Sequence, residues 1–298
     1  MTSTHPHETL RAGLFMVAAS AAFVTNDTCV KLLAGQLPVG EIVAIRGAFA
    51  TILIGLICWQ QGVLRHLPGI ASKHVLSRAA LDLIGTLAFI TALMHMPIAN
   101  LTSILQAVPL VVLGLAAIWL KERVGWRRTS AVLVGLLGVI LIVKPAPSTF
   151  TIYEAIAVSI VLALAVRDIV TRRIPRHIPS LIVALANAFF VTLGGIALAL
   201  AQDWVQPELW HILLLAASAL FLALGYMCMV VTLRLADLSA TAPFRYSIVL
   251  FSLLSGVLVF NEIPDIWAFA GMALIVASGL YAIHREARLR NIARMQAP

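Results

Sequence analysis

Apolar segments of about twenty residues alternate with short polar loops along nearly the whole chain. A helix needs about 20 predominantly apolar residues to cross the hydrocarbon core of a bilayer, and the segments have this length. The pattern therefore predicts an all-α integral membrane protein with ten transmembrane helices. The predicted spans are 12–32, 39–60, 79–96, 99–120, 128–144, 150–170, 179–201, 211–233, 239–260 and 265–284.

The composition supports this interpretation, because 61% of the residues are hydrophobic and only 11% are charged. A soluble domain carries about 25% charged residues. The formal net charge is +8, which in a soluble protein would suggest a nucleic-acid partner. Here the basic residues lie in short loops, where they orient the helices, so we expect a lipid bilayer and no nucleic acid around the chain. The three cysteines, Cys29, Cys58 and Cys228, fall in apolar segments and are expected to be packing residues.

The distribution of Lys and Arg between alternate loops predicts the orientation of the chain. If the N-terminus is cytoplasmic, most of the 21 Lys and Arg residues lie in cytoplasmic segments, and the outer segments hold only Lys31 and Lys144. This is the positive-inside pattern, so both termini are predicted to be cytoplasmic. The N-terminal segment MTSTHPHETLR lacks the basic region of a signal peptide, so we expect the first span to be retained.

The two halves of the chain resemble each other when the sequence is shifted by about 140 positions. Asp27 then falls on Asp168, and residues 99–122 fall on residues 239–262 without a gap. Each half holds five predicted spans, and because five is odd the second half must enter the membrane from the opposite side. The sequence therefore predicts two inverted five-helix repeats. Secondary transporters have this architecture, with the substrate site near the bilayer midplane.

Arg245 lies inside the predicted ninth span, where a charged side chain costs about 2.5–3.5 kcal/mol on insertion scales. A guanidinium directed into a cavity can bind a carboxylate or phosphate through two parallel hydrogen bonds, and the neighbouring Tyr246 offers a ring and a hydroxyl. The alternative is that Arg245 ties the ninth span to a backbone carbonyl or an acid on another span. The sequence leaves substrate anchor and structural lock as equal alternatives.

The predicted fourth span carries a polar stripe of Asn100, Ser103 and Gln106, which recur every three residues and share a helix face. The repeat alignment places Gln106 on Tyr246. The stripe is therefore a candidate substrate-binding surface, with helix–helix hydrogen bonding as the alternative.

Four further charged residues in or near the spans are candidates for gating or ion pairing. Arg46 lies deep in the second span, and Glu41 precedes it by more than one helical turn. A structural or gating ion pair is favoured for Arg46 over substrate contact. Asp27 and Asp168 each precede a basic residue by four positions, which favours an intrahelical pair. A proton-coupling role is the alternative, because acids within membrane spans often belong to proton relays.

No motif in the sequence predicts an enzyme, a cofactor or a metal site. The chain lacks the G-x-x-x-x-G-K-[ST] phosphate-binding loop, the H-E-x-x-H zinc motif and the G-x-S-x-G nucleophile motif. We therefore expect no ATP hydrolysis of this kind, no metal and no bound cofactor.

These features together resemble the drug/metabolite transporter superfamily, in its EamA branch. The resemblance is carried by the five-plus-five layout, by the helix ends at Glu122 and Glu262, and by Arg46 following Pro38 and Glu41. It covers nearly the whole chain. The stretches SATAPFRY and FNEIPD, together with the Asn-Asp pair that ends at residue 27, resemble the subgroup of bacterial S-adenosylmethionine and riboflavin uptake carriers.

The resemblance implies two EamA-like five-helix repeats, residues 1–145 and 146–298, around a central cavity lined mainly by the first four helices of each. The fifth and tenth spans would then be peripheral. It also implies a multi-pass secondary transporter of the cell inner membrane, a monomer or homodimer, that takes up a small organic metabolite such as S-adenosylmethionine or riboflavin by alternating access. Export of amino acids or drugs is the alternative within the superfamily, and a membrane-embedded enzyme is the alternative from another class.

Overall fold

A computed structural model of the chain describes residues 6–119, 126–143, 151–171, 173–175, 177–235, 241 and 244–295. The described residues are helical and contain no β-strand, which confirms the predicted all-α class. Besides one 3₁₀ segment, Val63–Ala71, the α-helices are α1 Pro6–Lys31, α2 Val39–Gln60, α3 Lys73–His95, α4 Ile98–Leu105, α5 Val108–Trp119, α6 Trp126–Val143, α7 Ile152–Thr171, α8 Ser180–Ala199, α9 Leu209–Leu235, α10 Ser247–Phe260 and α11 Ile266–Met295.

Five helices among the described residues are long and apolar enough to cross a membrane. They are Arg11–Lys31, Val39–Gln60, Lys73–His95, Ser180–Ala199 and Leu209–Thr232. They coincide with the predicted first, second, third, seventh and eighth spans. The other predicted spans contain shorter apolar helices, or, in α7, a helix that also carries charged side chains. The helices therefore support a multi-pass membrane protein, and the number ten stays a prediction.

Large apolar side chains are exposed in many parts of the described chain. Leu258 is 76% exposed and Leu200 85% exposed, and one side of α6 exposes Leu133, Leu137 and Ile140. Exposed apolar surface of this kind marks contact with a membrane or a partner. Lipid contact explains it here, because five helices of the described chain have the length and composition of membrane spans.

Contacts within the chain divide the structure into two compact units. The first unit contains residues 1–24, 97–151 and 224–298, and the second unit contains residues 25–96 and 152–223. Each unit therefore combines segments from both halves of the sequence.

In the second unit, α2 packs along α8, and α3 packs along α7. The backbones of α2 and α8 approach closely at Gly195, where an added Cβ atom would lie 2.6 Å from the backbone nitrogen of Ala44. Small residues permit such approaches between membrane helices. Cys58 is fully buried among Val75, Ile182 and their neighbours, which agrees with its predicted role as a packing residue.

In the first unit, α6 packs along α11, and α4 packs against α10. An added Cβ atom on Gly138 would lie 2.7 Å from the carbonyl oxygen of Gly271, so these glycines place the two backbones in contact. Glu262, after the end of α10, accepts a hydrogen bond from the backbone N–H of Ile98 at 3.0 Å. This bond satisfies one of the free N–H groups at the start of α4.

Within the predicted span 99–120 the structure has two helices, α4 and α5, separated at Gln106 and Ala107. The N–H of Ala107 bonds to the carbonyl of Ile104, three residues back, instead of four. Pro109 explains the interruption, because proline has no N–H to donate to the carbonyl of Leu105.

Candidate functional site

The helix interruption at Gln106 has a counterpart at Tyr246, in the same unit. Gln106, at the end of α4, has φ −68° and ψ −8°, and Tyr246, just before α10, has φ −72° and ψ −8°. An α-helix has ψ near −42°, so both residues leave the helical conformation in the same way. The repeat alignment had placed these two positions on each other. Since α4 packs against α10, the structure brings two equivalent backbone breaks into one helix pair.

The polar stripe of α4 leads to this break, and its three residues differ in which hydrogen-bonding groups remain available to a ligand. The Ser103 hydroxyl is fully buried and donates to the carbonyl of Ala99 on its own helix at 2.6 Å, so it is already occupied. Gln106 is 8% exposed and lies at the break itself. The side-chain oxygen of Asn100 is buried and has no hydrogen-bond partner among the described residues. A buried acceptor without a partner is costly, so Asn100 is the member of the stripe that a ligand would satisfy best.

Arg245 and Tyr246 differ in exposure although they are neighbours. Tyr246 is 7% exposed and packs against α11 at Gly279, where any Cβ atom would overlap its phenol group. Arg245 is exposed, and it forms no ion pair with any acid in the part of the chain that the structure describes. An open guanidinium beside the break is what a substrate anchor requires. The structural-lock alternative has no acid partner within the described residues.

A second polar cluster lies in the second unit, where α1, α2 and α9 contribute side chains. Asn26 connects the cluster, because its side-chain oxygen accepts from the Ser218 hydroxyl at 2.7 Å and from Arg46 Nη1 at 3.3 Å. Its amide group donates to Asp27 Oδ1 at 2.8 Å. Ser218 is fully buried, Asn26 is 3% exposed and Arg46 is 9% exposed. Asp27 also lies within electrostatic range of Arg46. Buried charges need partners of this kind, and the cluster supplies them.

The structure does not bring Glu41 to Arg46. One oxygen of the Glu41 carboxylate accepts from the backbone N–H of Val205 at 2.7 Å, and the other has no partner among the described residues. Lys31, the base four residues after Asp27, donates to the carbonyl of Met96 at 2.6 Å. The described contacts of Arg46 therefore belong to a hydrogen-bonded cluster centred on Asn26, and Glu41 lies outside this cluster.

Asp168 belongs to a third group, which joins α3 to α7. Arg167 binds Asp168 at 2.6 Å and Asp82 at 2.9 Å, and Arg78 binds the second oxygen of Asp82 at 3.2 Å. Arg172, the expected partner of Asp168, lies outside the described residues. The sequence analysis named neither Arg167 nor Asp82 as a candidate. The spacing of Arg78 and Asp82 by four residues was the available signal.

Sequence reasoning also missed Ser218, and no pattern indicates it, since a single hydroxyl in an apolar span is common. No group of three or more His, Cys, Asp or Glu side chains in the described residues has the geometry of a metal site. The chemistry that the described clusters can perform is binding of polar or charged groups inside a membrane-spanning helix bundle.

Comparison with known proteins identifies what the chain is similar to. The sequence profile of the EamA-like transporter family matches residues 10–144 and, a second time, residues 151–283. The S-adenosylmethionine uptake transporter of Rickettsia bellii is 28% identical over 279 residues, which is 92% of each chain. The riboflavin transporter of Vibrio cholerae is 26% identical and covers 96% of this chain and 99% of its own.

A third relative is the pseudopaline exporter CntI of Pseudomonas aeruginosa, which is 29% identical over 90% of this chain and 95% of its own. One crystal structure superposes with a TM-score of 0.66 over 91% of this chain and 96% of the other. The two sequences are 18% identical, so this likeness shows a shared fold alone.

Proposed function

The chain belongs to the EamA-like transporter family, and from this membership we propose that it is a secondary transporter that works by alternating access. The three relatives are named as transporters or exporters of small metabolites, and none is named as an enzyme. The predicted family and the prediction that the chain is not an enzyme are thus confirmed. We place the protein in the cell inner membrane with both termini in the cytoplasm, following the distribution of its basic residues.

The observation that carries the proposal is the matched pair of interruptions at Gln106 and Tyr246. In secondary transporters, interrupted helices at corresponding positions of two repeats point to the substrate site, because the breaks free backbone groups that can bind a polar solute. Asn100, Ser103, Gln106, Arg245 and Tyr246 are the proposed substrate-binding residues, with Ser103 able only to accept a hydrogen bond, since its own hydrogen is donated to Ala99. The exposed guanidinium of Arg245 would bind an anionic group of the substrate. The side-chain oxygen of Asn100, which has no hydrogen-bond partner among the described residues, would accept a hydrogen bond from the substrate.

The proposed substrate is a polar, ring-bearing metabolite taken up into the cell, with S-adenosylmethionine and riboflavin as the first compounds to test. Two of the relatives are named for these substrates. Export of a metabolite is the second candidate, because the pseudopaline exporter is equally similar to this chain.

We propose gating roles for Asp27, Arg46, Glu41 and Asp168, without direct contact to substrate. Arg46 and Asp27 belong to the cluster that joins α1, α2 and α9, and Asp168 belongs to the network that joins α3 to α7. Glu41 holds the loop after α8 through Val205. Such contacts between helices are the ones that an alternating-access movement must break and remake. Two inverted repeats, residues 1–145 and 146–298, remain the proposed organisation, and the second match of the family profile supports it.

The test is transport by the full chain in proteoliposomes, with radiolabelled S-adenosylmethionine, riboflavin and a panel of amino acids, under pH gradients of either sign. We expect saturable accumulation of one solute, which is absent from protein-free liposomes. Gln106→Ala should weaken the apparent affinity for this solute by about tenfold, the effect of losing one good hydrogen bond.

The matched control is Ser252→Ala on α10, whose hydroxyl donates only within its own helix, to the carbonyl of Val249. This variant should transport like the wild type. Binding of a solute without its accumulation in sealed vesicles would contradict the transporter proposal.

A further inference from the structure

A cleft of about 500 Å³ lies in the second unit, between the 3₁₀ segment Val63–Ala71 and the loop that precedes α8. Its walls are joined at Gly69, where an added Cβ atom would lie 3.2 Å from Ile178. The polar groups that line it are Arg65, His66, Ser72 and His177. Proline and isoleucine side chains form the rest of the lining. The cleft is therefore an apolar hollow with basic side chains along it.

The two loops that form the cleft carry charge of one sign. No Asp or Glu occurs in residues 61–81 or in residues 169–202, which include both loops. Lys73 and Arg173 add further positive charge close to the lining residues in the sequence. An anion would therefore meet attraction from both loops and no repulsion from an acid belonging to either of them.

The position of the cleft is at the ends of membrane-spanning helices. The two loops connect α2 to α3 and α7 to α8, and three of these four helices meet the length and composition of a membrane span. Apolar side chains close to the lining residues in the sequence are exposed: Trp59 is 69% exposed, Leu67 is 41% exposed and Leu76 is 40% exposed. Basic groups next to exposed apolar groups at a helix end suit a molecule with an anionic head and an apolar tail.

We propose that this cleft binds the headgroup of an anionic phospholipid, and that phosphate is the group it recognises. The phosphodiester accepts hydrogen bonds from the Arg65 guanidinium and the ring N–H of His177, one from each wall. The acyl chains lie against the apolar side chains that the helix ends expose. The bound lipid thereby links the 3₁₀ segment to the loop before α8. The site shares no residue with the proposed substrate-binding set, all of which belongs to the first unit.

The experiment uses the full chain purified in mixed micelles, with phosphatidylglycerol or phosphatidylcholine added at equal concentrations. Bound lipid is counted by native mass spectrometry, and the melting temperature is measured in parallel. We expect phosphatidylglycerol to bind preferentially and to raise the melting temperature. Arg65→Gln should weaken the binding of phosphatidylglycerol about tenfold, the effect of losing one charge-assisted hydrogen bond to the phosphate. The double variant Arg65→Gln/His177→Gln should bind phosphatidylglycerol more weakly than Arg65→Gln alone.

Arg173→Gln is the matched control, because Arg173 is an exposed base of the same loop that does not line the cleft. It should keep most of the binding. Equal losses in Arg173→Gln and Arg65→Gln would overturn the proposal in favour of general surface charge. A third arm adds inorganic phosphate alone. Binding of phosphate as strong as that of phosphatidylglycerol, and displacement of the lipid by it, would overturn the assignment to a lipid.

Discussion

Replacing Asp82 by Asn removes the charge that joins α3 to α7 and changes the shape of the side chain little. The Asp82 carboxylate is 7% exposed and binds Arg167 at 2.9 Å and Arg78 at 3.2 Å. Removing one partner of a buried ion pair destabilises a protein by about 3–5 kcal/mol. Arg167 is 25% exposed and keeps its bond to Asp168, so we expect a smaller loss, about 2–3 kcal/mol. This corresponds to a decrease of about 5–10 °C in melting temperature.

The assay is thermal melting in detergent of the wild type, Asp82→Asn, Arg167→Gln and the double variant. If the two residues act as one pair, the double variant should melt close to the less stable single variant, with a coupling energy of about 1–2 kcal/mol. Asp203→Asn is the control, because it makes the same chemical change at an exposed acid in a loop. Additive effects of the two single variants, or an Asp82→Asn variant that melts like Asp203→Asn, would refute the reasoning.

Four other predictions rest on the same structure. Arg245→Ala should melt like the wild type and lose ligand in a binding assay. Arg245→Lys should recover only part of the binding, since an ammonium keeps the charge but not the planar geometry of the guanidinium. Normal binding, or a much lower melting temperature, would argue against a substrate anchor. Ser218→Ala removes a fully buried hydrogen bond to Asn26 and should lower stability in the same melting assay by about 1 kcal/mol, whereas an unchanged melting temperature would show that the cluster contributes little there. Val139→Ala, on the lipid-exposed helix α6, should lower stability by about 1 kcal/mol without changing the apparent substrate affinity, and a loss of transport by well-expressed protein would make α6 part of the transport pathway. Reporter fusions after Arg78 and after residue 294 should read cytoplasmic and one within 202–210 should read external; an internal signal from the last would contradict the inverted repeat.

The proposed gating groups differ in how much the sequence revealed. Arg46 and Asp27 stood out because charge is rare inside apolar segments. Asn26 entered only through the family resemblance. Ser218 did not stand out at all, because it is an ordinary hydroxyl whose importance comes from its bond to Asn26, which in turn accepts from Arg46. Within the described residues Glu41 does not bind Arg46, because its carboxylate accepts from the backbone N–H of Val205, in a loop far along the chain. Sequence spacing describes neighbours on one helix and carries no information about a loop of another.

The interruption of the fourth span is a second feature that the sequence analysis did not predict. Pro109 is visible in the sequence, yet a hydropathy window sees only an uninterrupted apolar segment across it. The equal dihedral angles at Gln106 and Tyr246 became apparent only in the folded chain, although the repeat alignment had already placed the two residues together.

By itself the sequence determined that the protein is helical, that it belongs in a membrane and which family it resembles. These properties follow from the length of the apolar segments and the spacing of a repeat, which can be read directly from the sequence. The required length is set by the thickness of the bilayer, and the helical structure by the need to satisfy backbone hydrogen bonds in lipid. The tertiary structure alone decided that Asp82 binds Arg167, that Asn26 connects three helices, and that the basic loops enclose a cleft. Those contacts join residues far apart in the chain, and their energies depend on distance and burial, which exist only once the helices have packed.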